Sequence, residues 1–233
     1  MSNEGISREE LTKKRTPSEL MSWVEWKREQ IASTEDGERA LILHEGLAKK
    51  FEEEVYPLAI FGQRKFGNTD QILMQPIIGK RYDAVVTDLR SNRVSQSYIE
   101  ITQSHEGEND YLRRLVLSRQ GFVFYGPPNK KGTKKTGLQV SIPAKAFEIG
   151  EVAEGELKRI LEAARRKEAK DYPINTSLII FFNDNLTFRQ AVDDKQLDTF
   201  VKKNILSLDL RFSTLYLVGQ HKMFREFSFA KRT

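Results

Sequence analysis

The spacing of apolar residues near the start of the chain predicts two amphipathic helices. Thr16, Pro17 and Glu19 form a helix start, with a side-chain cap, a proline at the first helical position and a capping box. This first helix is expected to end near Ala32. A second helix is predicted over residues 36–55, because its apolar positions share one face at about 100° per residue. These positions are Ala40, Leu43, His44, Leu47, Ala48, Phe51 and Val55.

Beyond these helices the apolar residues change to the two-residue period of strands. Three consecutive strands are predicted, at residues 71–78, 81–89 and 97–103. A short helix is expected at residues 110–118. Residues 121–126 and 138–143 are then predicted to pair as a hairpin, which forms an insertion over about residues 119–145 and carries a lysine-rich loop.

The last third of the chain alternates helices with apolar strands. A long helix is predicted over residues 151–170, and residues 176–184 form an apolar run typical of a strand covered on both faces. A helix at residues 195–204 and a strand at residues 213–219 follow. Antiparallel strands in front and a helical crossover behind predict an α/β fold whose central mixed sheet has helices on both faces.

The polar beginning of the chain bears on order and on location. Residues 1–15 are rich in charge and contain no apolar signal core, so they are predicted to be a disordered tail. Residues 16–233 are expected to form a single domain. No apolar run approaches the roughly 20 residues of a membrane span, so a cytoplasmic protein without membrane association is expected. The absence of cysteine excludes disulfides and thiolate metal sites.

Basic residues occur in clusters that favour a polyanionic partner. The chain carries a net charge of +5, and lysines crowd the predicted hairpin loop at residues 128–136. Further basic clusters lie at residues 163–170 and in the C-terminal segment. For any one cluster, solvated surface lysines are the simpler interpretation. The candidate nucleic-acid contacts are Lys130, Lys131, Lys134, Lys135, Arg113 and Arg114.

Two carboxylates lie on strands that are predicted to be neighbours. Because side chains alternate along a strand, Glu100 shares a face with Tyr98 and Thr102, and Gln103 points the other way. If the two strands pair, Asp83 and Glu100 converge at one end of the sheet. A divalent cation relieves the repulsion between two carboxylates, and oxygen ligands suit Mg²⁺ or Mn²⁺. A turn aspartate and a solvent-facing glutamate are the alternative interpretation.

The order of these residues and elements resembles the PD-(D/E)xK, or restriction-endonuclease-like, superfamily. The resemblance covers about residues 36–219, with the hairpin as an insertion. It implies a restriction-endonuclease-like core in which Asp83 and Glu100 bind Mg²⁺ or Mn²⁺ and a glutamate on the preceding helix assists. Glu45 is the candidate for that helix position, and Glu52 is a weaker one. The resemblance implies DNA as the substrate, and a homodimer is a further expectation.

The chain departs from this superfamily where a lysine should orient the attacking water. That position, two residues after Glu100, holds Thr102, and Gln103 follows it. Thr102 and Gln103 could act through water, or Lys158 or Lys167 on the following helix could supply the positive charge. The leading hypothesis is metal-dependent hydrolysis of DNA phosphodiester bonds. The alternatives are a catalytically inactive protein that binds nucleic acid on the same fold, and an interaction protein with no nucleic-acid role.

Overall fold

A mixed six-stranded sheet lies at the centre of the protein in the computed structural model, which describes residues 5–133, 136–185, 188 and 191–229. Its strands follow the order β1–β2–β3–β6–β7–β8, and β4 and β5 form a separate two-stranded hairpin. The β1, β2 and β3 strands are antiparallel, β3, β6 and β7 are parallel, and β8 is antiparallel to β7. The strands are β1 (Ile72–Pro76), β2 (Ala84–Asp88), β3 (Ser95–Gln103), β4 (Asn129–Lys131), β5 (Gln139–Ser141), β6 (Thr176–Phe182), β7 (Thr214–Gly219) and β8 (Phe224–Ser228).

Helices cover both faces of this sheet, as predicted. They are α1 (Arg8–Thr12), α2 (Pro17–Ala32), α3 (Glu35–Leu43), α4 (Gly46–Lys50), α5 (Tyr56–Phe66), α6 (Glu108–Gln120), α7 (Ile149–Arg165) and α8 (Ala191–Asn204). A single turn of π-helix, Phe51–Val55, joins α4 to α5. Within the described ranges, none of these helices has both the length and the apolar character needed to cross a membrane.

Two hydrophobic cores lie on opposite faces of the sheet. On one face, Ile99 and Ile101 of β3 pack against α2, α5 and the π-helical turn. On the other face, Leu178 and Ile180 of β6 pack with residues of α7 and α8. All seven residues of β6 are buried, which confirms the strand that the sequence predicts to be covered on both sides.

The second predicted helix is divided into several segments. Helix α2 begins at Thr16 with the predicted capping box, and that prediction is confirmed. The single helix predicted over residues 36–55 is wrong, because His44 adopts a left-handed conformation with φ of 53° and ends α3. The backbone N–H groups of His44 and Glu45 turn back to carbonyls at the end of α3. Helical structure resumes at α4 and continues through the π-helical turn to Phe66.

Both ends of the chain are more regular than the sequence predicts. The tail predicted to be disordered contains α1, whose Leu11 is fully buried, and Arg15 pairs with Met74 of β1 as an isolated bridge. Residues 1–4 lie outside the described part. At the other end, β8 adds a strand that the sequence analysis missed, and it pairs along β7 from Thr214 to Val218.

The hairpin insertion is present, but its first strand is displaced from the predicted position. The sequence pattern predicts that strand at residues 121–126, whereas β4 begins at Asn129. Gly126 lies so close to the neighbouring chain that an added Cβ would meet the Pro143 carbonyl oxygen at 2.0 Å. Pro127 and Pro128 follow and lack the N–H group that a strand ladder needs. Pairing therefore starts only after the prolines.

Candidate active site

The pairing of β2 with β3 brings Asp83 beside Glu100. In this register Ala84 faces Ile99, so Asp83 lies just before β2 at the level of Glu100. The Asp83 N–H donates to the Ile99 carbonyl at 2.8 Å, and the Ile101 N–H donates to Asp83 Oδ2 at 2.8 Å. The first of these bonds fixes the backbone of Asp83 against β3, and the second orients its carboxylate. The structure brings together the two carboxylates that the sequence analysis proposed as a pair.

A third carboxyl group, Glu54, reaches this pair from the π-helical turn. Its side chain lies within hydrogen-bonding reach of Asp83, and this contact contributes to the raised pKa of Glu54. Lys50, one turn earlier, forms an ion pair with Glu54 and lies 3.7 Å from Asp83 Oδ1. Single π-helical turns often occur at functional sites. This turn presents Glu54 to the sheet at the point where β2 begins.

Burial and mutual repulsion raise the pKa values in this carboxyl cluster. Burial, followed by the negative charge of Asp83, raises the pKa of Glu54 to about 8, although Lys50 opposes the shift. Burial and the same negative charge also raise the pKa of Glu100. The cluster therefore holds a proton near neutral pH that isolated carboxylates would have released. An added cation would favour loss of that proton.

The ammonium group of Lys167, from the turn after α7, contacts Glu100. Lys167 Nζ donates to Glu100 Oε1 at 2.6 Å, and both side chains are largely buried. The Tyr172 hydroxyl donates to the same oxygen at 3.3 Å. Burial, together with the charge of Glu100, raises the pKa of Tyr172, so its hydroxyl stays protonated as a donor. Lys167 lies in the turn after α7, where its N–H donates to the Ala164 carbonyl at 2.9 Å.

A cavity of about 390 Å³ opens above Asp83 and Glu100. The basic side chains of Lys80, Arg81 and Lys170 line this cavity. Asp171 and Tyr172 complete the wall. A basic rim above two carboxylates can bind a phosphate and place its phosphorus near the acidic groups.

The residues that follow Glu100 in β3 lie as strand alternation predicts. Thr102 is half-buried and shares the strand face of Glu100. Gln103 points to the opposite face, where its Nε2 donates to the Glu52 carbonyl at 3.0 Å. Gln103 is thus engaged with the helical layer, and the amine in contact with Glu100 belongs to Lys167.

The structure does not place the two predicted helix glutamates beside Asp83. Glu45 precedes α4 and pairs with Arg39 at 3.5 Å. Glu52 is buried and pairs with Arg28 at 2.9 Å. Glu54 occupies the position beside Asp83, and the sequence analysis missed it. The signal was the run of three glutamates at residues 52–54, but a regular period of about 100° per residue does not hold through a π-helical turn.

The residues predicted to contact nucleic acid differ in whether their charges are paired with acidic side chains. Arg113 is engaged with Glu106 at 2.9 Å and Asp110 at 3.3 Å, so it serves a local ion-pair network. Lys130 pairs with Glu108 at 2.6 Å, while Lys131 is exposed on β4. Arg114 lines a different cavity, between α2, α3 and α6. Lys134 and Lys135 fall outside the described residues.

The oxygen groups around Asp83 suit a hard divalent cation held by few protein ligands. Throughout the part of the chain that the structure describes, no set of three or more His, Cys, Asp or Glu side chains is placed to hold a metal ion together. Mg²⁺ is commonly held by one or two carboxylates, with water and substrate phosphate completing its coordination. Asp83 and Glu100 fit that smaller requirement.

Comparison with known proteins adds no family to this geometry. No protein-family model, curated protein or solved structure matches the chain. The side chains around Asp83 and Glu100 are therefore the basis for assigning a function.

The buried Glu54 carboxyl group predicts a fall in stability as pH rises. Its ordinary pKa of 4.5 is raised to about 8 by burial and by Asp83, so between these values the folded state binds more protons than the unfolded state. As pH rises, the contribution of Glu54 should then decrease the free energy of unfolding by up to about 1.4 kcal/mol per pH unit. Urea unfolding at pH 5.5, 6.5 and 7.5 measures the slope.

The Glu54→Gln variant should lose this pH dependence, because glutamine cannot release a proton. Glu45→Gln is the matched control, since Glu45 lies on the same helical region and is half exposed. The control should keep the wild-type slope. Equal slopes for wild type and Glu54→Gln would contradict the raised pKa of Glu54.

Proposed function

We propose that this protein is a metal-dependent DNA endonuclease that hydrolyses phosphodiester bonds at Asp83 and Glu100. The observation that carries the proposal is the contact of Lys167 Nζ with Glu100 at 2.6 Å, beside the Asp83 carboxylate. Two carboxylates with an ammonium group at hydrogen-bonding distance supply metal ligands and the positive charge for hydrolysis. Lys167 thereby takes the role of the lysine that Thr102 replaces.

The arrangement of elements supports a restriction-endonuclease-like core. Helical structure precedes three antiparallel strands, and α7 then leads into β6, which lies parallel to β3. Asp83 and Glu100 occupy the start of the second strand and the middle of the third. This is the order on which the resemblance to the PD-(D/E)xK superfamily rests.

Asp83 and Glu100 would hold Mg²⁺ or Mn²⁺. When bound, such an ion supplies Lewis-acid polarisation of a phosphoryl oxygen. The chain itself contributes an all-oxygen donor pair whose orientation is set by the Ile101 N–H. Lys50 lies beside Asp83 and offsets part of the remaining negative charge.

Hydrolysis needs a water molecule that is oriented and deprotonated. Lys167 would orient the water and compensate the negative charge that develops on the phosphoryl group. Glu54, with its pKa raised to about 8 by burial and by Asp83, can accept the proton of the water when ionised. A bond forms between the water oxygen and phosphorus, the bond from phosphorus to the leaving oxygen breaks, and that oxygen takes a proton from solvent.

The basic wall of the cavity supports a nucleic-acid substrate. Lys80, Arg81 and Lys170 would bind the phosphates on either side of the cleaved bond. Such contacts are independent of base sequence, so they position the backbone without specifying a recognition site. A homodimer, as the superfamily resemblance suggests, would supply a second set of these residues for the opposite strand.

The first test is a calorimetric titration of Mg²⁺ and Mn²⁺ into the wild-type protein. Cleavage of mixed DNA is measured in parallel. We expect metal binding and cleavage, and EDTA should remove both. Absence of metal binding and of cleavage, with DNA still bound, would favour the second candidate described next.

A catalytically inactive protein that binds nucleic acid on the same fold is the second candidate. The observation in its favour is Thr102, which stands where the superfamily resemblance requires a lysine. The Lys167 and Lys50 charges already compensate the acidic cluster in part, which lowers its demand for a metal. Metal-independent binding of DNA would then be the principal activity.

Both candidates predict salt-sensitive DNA binding through the basic hairpin. Lys131→Gln should weaken binding for all sequences and reduce the dependence of log affinity on log salt by about one unit, because one phosphate contact is lost. Anisotropy titrations between low and moderate salt measure this change. Lys14→Gln, which alters an exposed lysine near the N-terminus, should leave the salt dependence unchanged. Equal salt dependence in wild type and Lys131→Gln would remove Lys131 from the binding surface.

A further inference from the structure

Three large aromatic side chains are exposed within four residues, between α6 and β4. The exposed fractions are 56% for Phe122, 51% for Phe124 and 52% for Tyr125. We call residues 122–125 the aromatic strip. Single exposed apolar residues are common on protein surfaces, whereas a group of exposed aromatic rings is typical of a binding surface.

The aromatic strip is held in place by its neighbours. The Phe122 and Phe124 rings meet edge to face with centroids 5.6 Å apart, and Tyr125 meets Phe147 in the same way at 5.4 Å. The Lys145 N–H donates to the Tyr125 carbonyl at 3.2 Å. The close approach of Gly126 to Pro143 fixes the end of the strip. The rings are therefore presented to solvent on a backbone with defined contacts.

Several basic residues lie close to the aromatic strip. The β4 strand begins four residues after the strip and carries the exposed Lys131, together with Lys130, which is paired with Glu108. The Lys145 ammonium lies 4.4 Å from the centroid of the Phe147 ring, next to Tyr125. Arg119, at the end of α6, is also exposed. Aromatic rings for bases and cations for phosphates are the two components of a surface that binds single-stranded nucleic acid.

We propose that the aromatic strip is a stacking surface for the bases of single-stranded DNA. The base-stacking role stands on the strip itself, and its connection to cleavage rests on the proposed nuclease function. It specifies the substrate class, namely DNA with an unpaired segment, such as a single strand, an overhang or a frayed end. The bases of a continuous duplex are already stacked on one another, so they cannot cover these rings.

A single DNA strand that contacts the aromatic strip can extend towards Glu100. Tyr125 lines a cavity of about 370 Å³ together with Ser104, which directly follows β3. Ser104 is four residues beyond Glu100 in the same extended segment. At about 3.3 Å per residue, this separation is about 13 Å. Bases held at Tyr125 would therefore be separated from the proposed site of cleavage by this segment of the chain and by the width of the cavity.

The test compares binding of a labelled 15-nucleotide oligothymidine and of a 15-base-pair duplex, by fluorescence anisotropy in EDTA. The wild-type protein should bind the single strand more tightly. Phe122→Ala combined with Phe124→Ala should weaken single-strand binding by about 10- to 100-fold and change duplex binding by less than about 3-fold. Because the strip is exposed, circular dichroism melting should show a folded variant.

Two further variants distinguish stacking from simple apolar contact. Phe122→Leu with Phe124→Leu keeps apolar side chains but removes the rings, so it should lose affinity like the alanine pair. Phe122→Tyr with Phe124→Tyr keeps the rings and should retain affinity. Trp26→Ala is the matched control, because Trp26 is an exposed aromatic residue on α2, and it should bind as wild type does.

Three results would overturn the proposal. These are duplex binding as tight as single-strand binding in the wild type, full affinity in the alanine pair, and full affinity in the leucine pair. Absence of oligonucleotide binding would also overturn it and would leave the strip as a protein-docking surface. Since EDTA removes catalysis from the measurement, single-strand binding can succeed or fail independently of nuclease activity.

Discussion

Replacement of Asp83 and Glu100 by their amides is expected to abolish metal binding and to slow DNA cleavage by at least about 1000-fold. An amide oxygen lacks the negative charge that attracts a divalent cation, and both proposed ligands would be lost. Calorimetric titration with Mg²⁺ and Mn²⁺ and initial cleavage rates should change together. The amides have the shape of the acids and the substitution removes repulsion between Asp83 and Glu100, but Glu100→Gln also leaves the Lys167 ammonium without its buried partner. Circular dichroism and urea unfolding of the variant therefore accompany the rate measurements.

Asp88→Asn is the matched control for this double variant. Asp88 ends the same strand that Asp83 precedes, and it forms an ion pair with Arg90. The control should bind metal and cleave DNA as wild type does. Cleavage that persisted in the Asp83→Asn, Glu100→Gln variant would exclude these carboxylates from the reaction. Loss of metal binding alone would separate metal affinity from catalysis.

Lys167→Met is expected to slow cleavage by about 100- to 1000-fold while metal binding persists. The variant keeps most of the side-chain length and apolar contact but removes the ammonium group beside Glu100. Asp83 and Glu100 remain available to a cation. Single-turnover cleavage rates and calorimetry on the same sample separate the two effects. Lys158→Met, which alters an exposed lysine on α7, is the matched control and should cleave at the wild-type rate.

A second substitution can return the missing charge from another position. Thr102 shares the strand face of Glu100, so Thr102→Lys in the Lys167→Met background places an ammonium group on the same face. Partial recovery of the cleavage rate is expected. Recovery would show that the charge itself is required, whereas a full cleavage rate in Lys167→Met alone would assign Lys167 a purely structural role.

Stability must be measured alongside these rates, because Lys167 and Glu100 form a largely buried pair. Removal of one partner from such a pair costs about 3–5 kcal/mol. Lys167→Met should therefore unfold at lower urea concentration than wild type. Lys167→Met combined with Glu100→Gln leaves no unpaired buried charge and should recover part of that stability without recovering cleavage.

Local patterns in the sequence determined several parts of this protein. The capping residues at Thr16 and Glu19 act within one helical turn, so α2 could be located from the sequence alone. The apolar run that became β6 reflects burial on both sheet faces. The neighbouring positions of Asp83 and Glu100 followed from strand alternation and the pairing of consecutive strands.

Other features were decided only by contacts between distant segments. Lys167 and Tyr172 reach Glu100 from 67 and 72 residues along the chain, and no local pattern specifies which lysine of a basic helix meets a given carboxylate. Glu54 was missed because the π-helical turn shifts the helical face by a residue. Local sequence patterns thus determined α2, β6 and the carboxylate pair. Tertiary packing determined which charged groups surround that pair, because their burial and charge compensation depend on the whole fold.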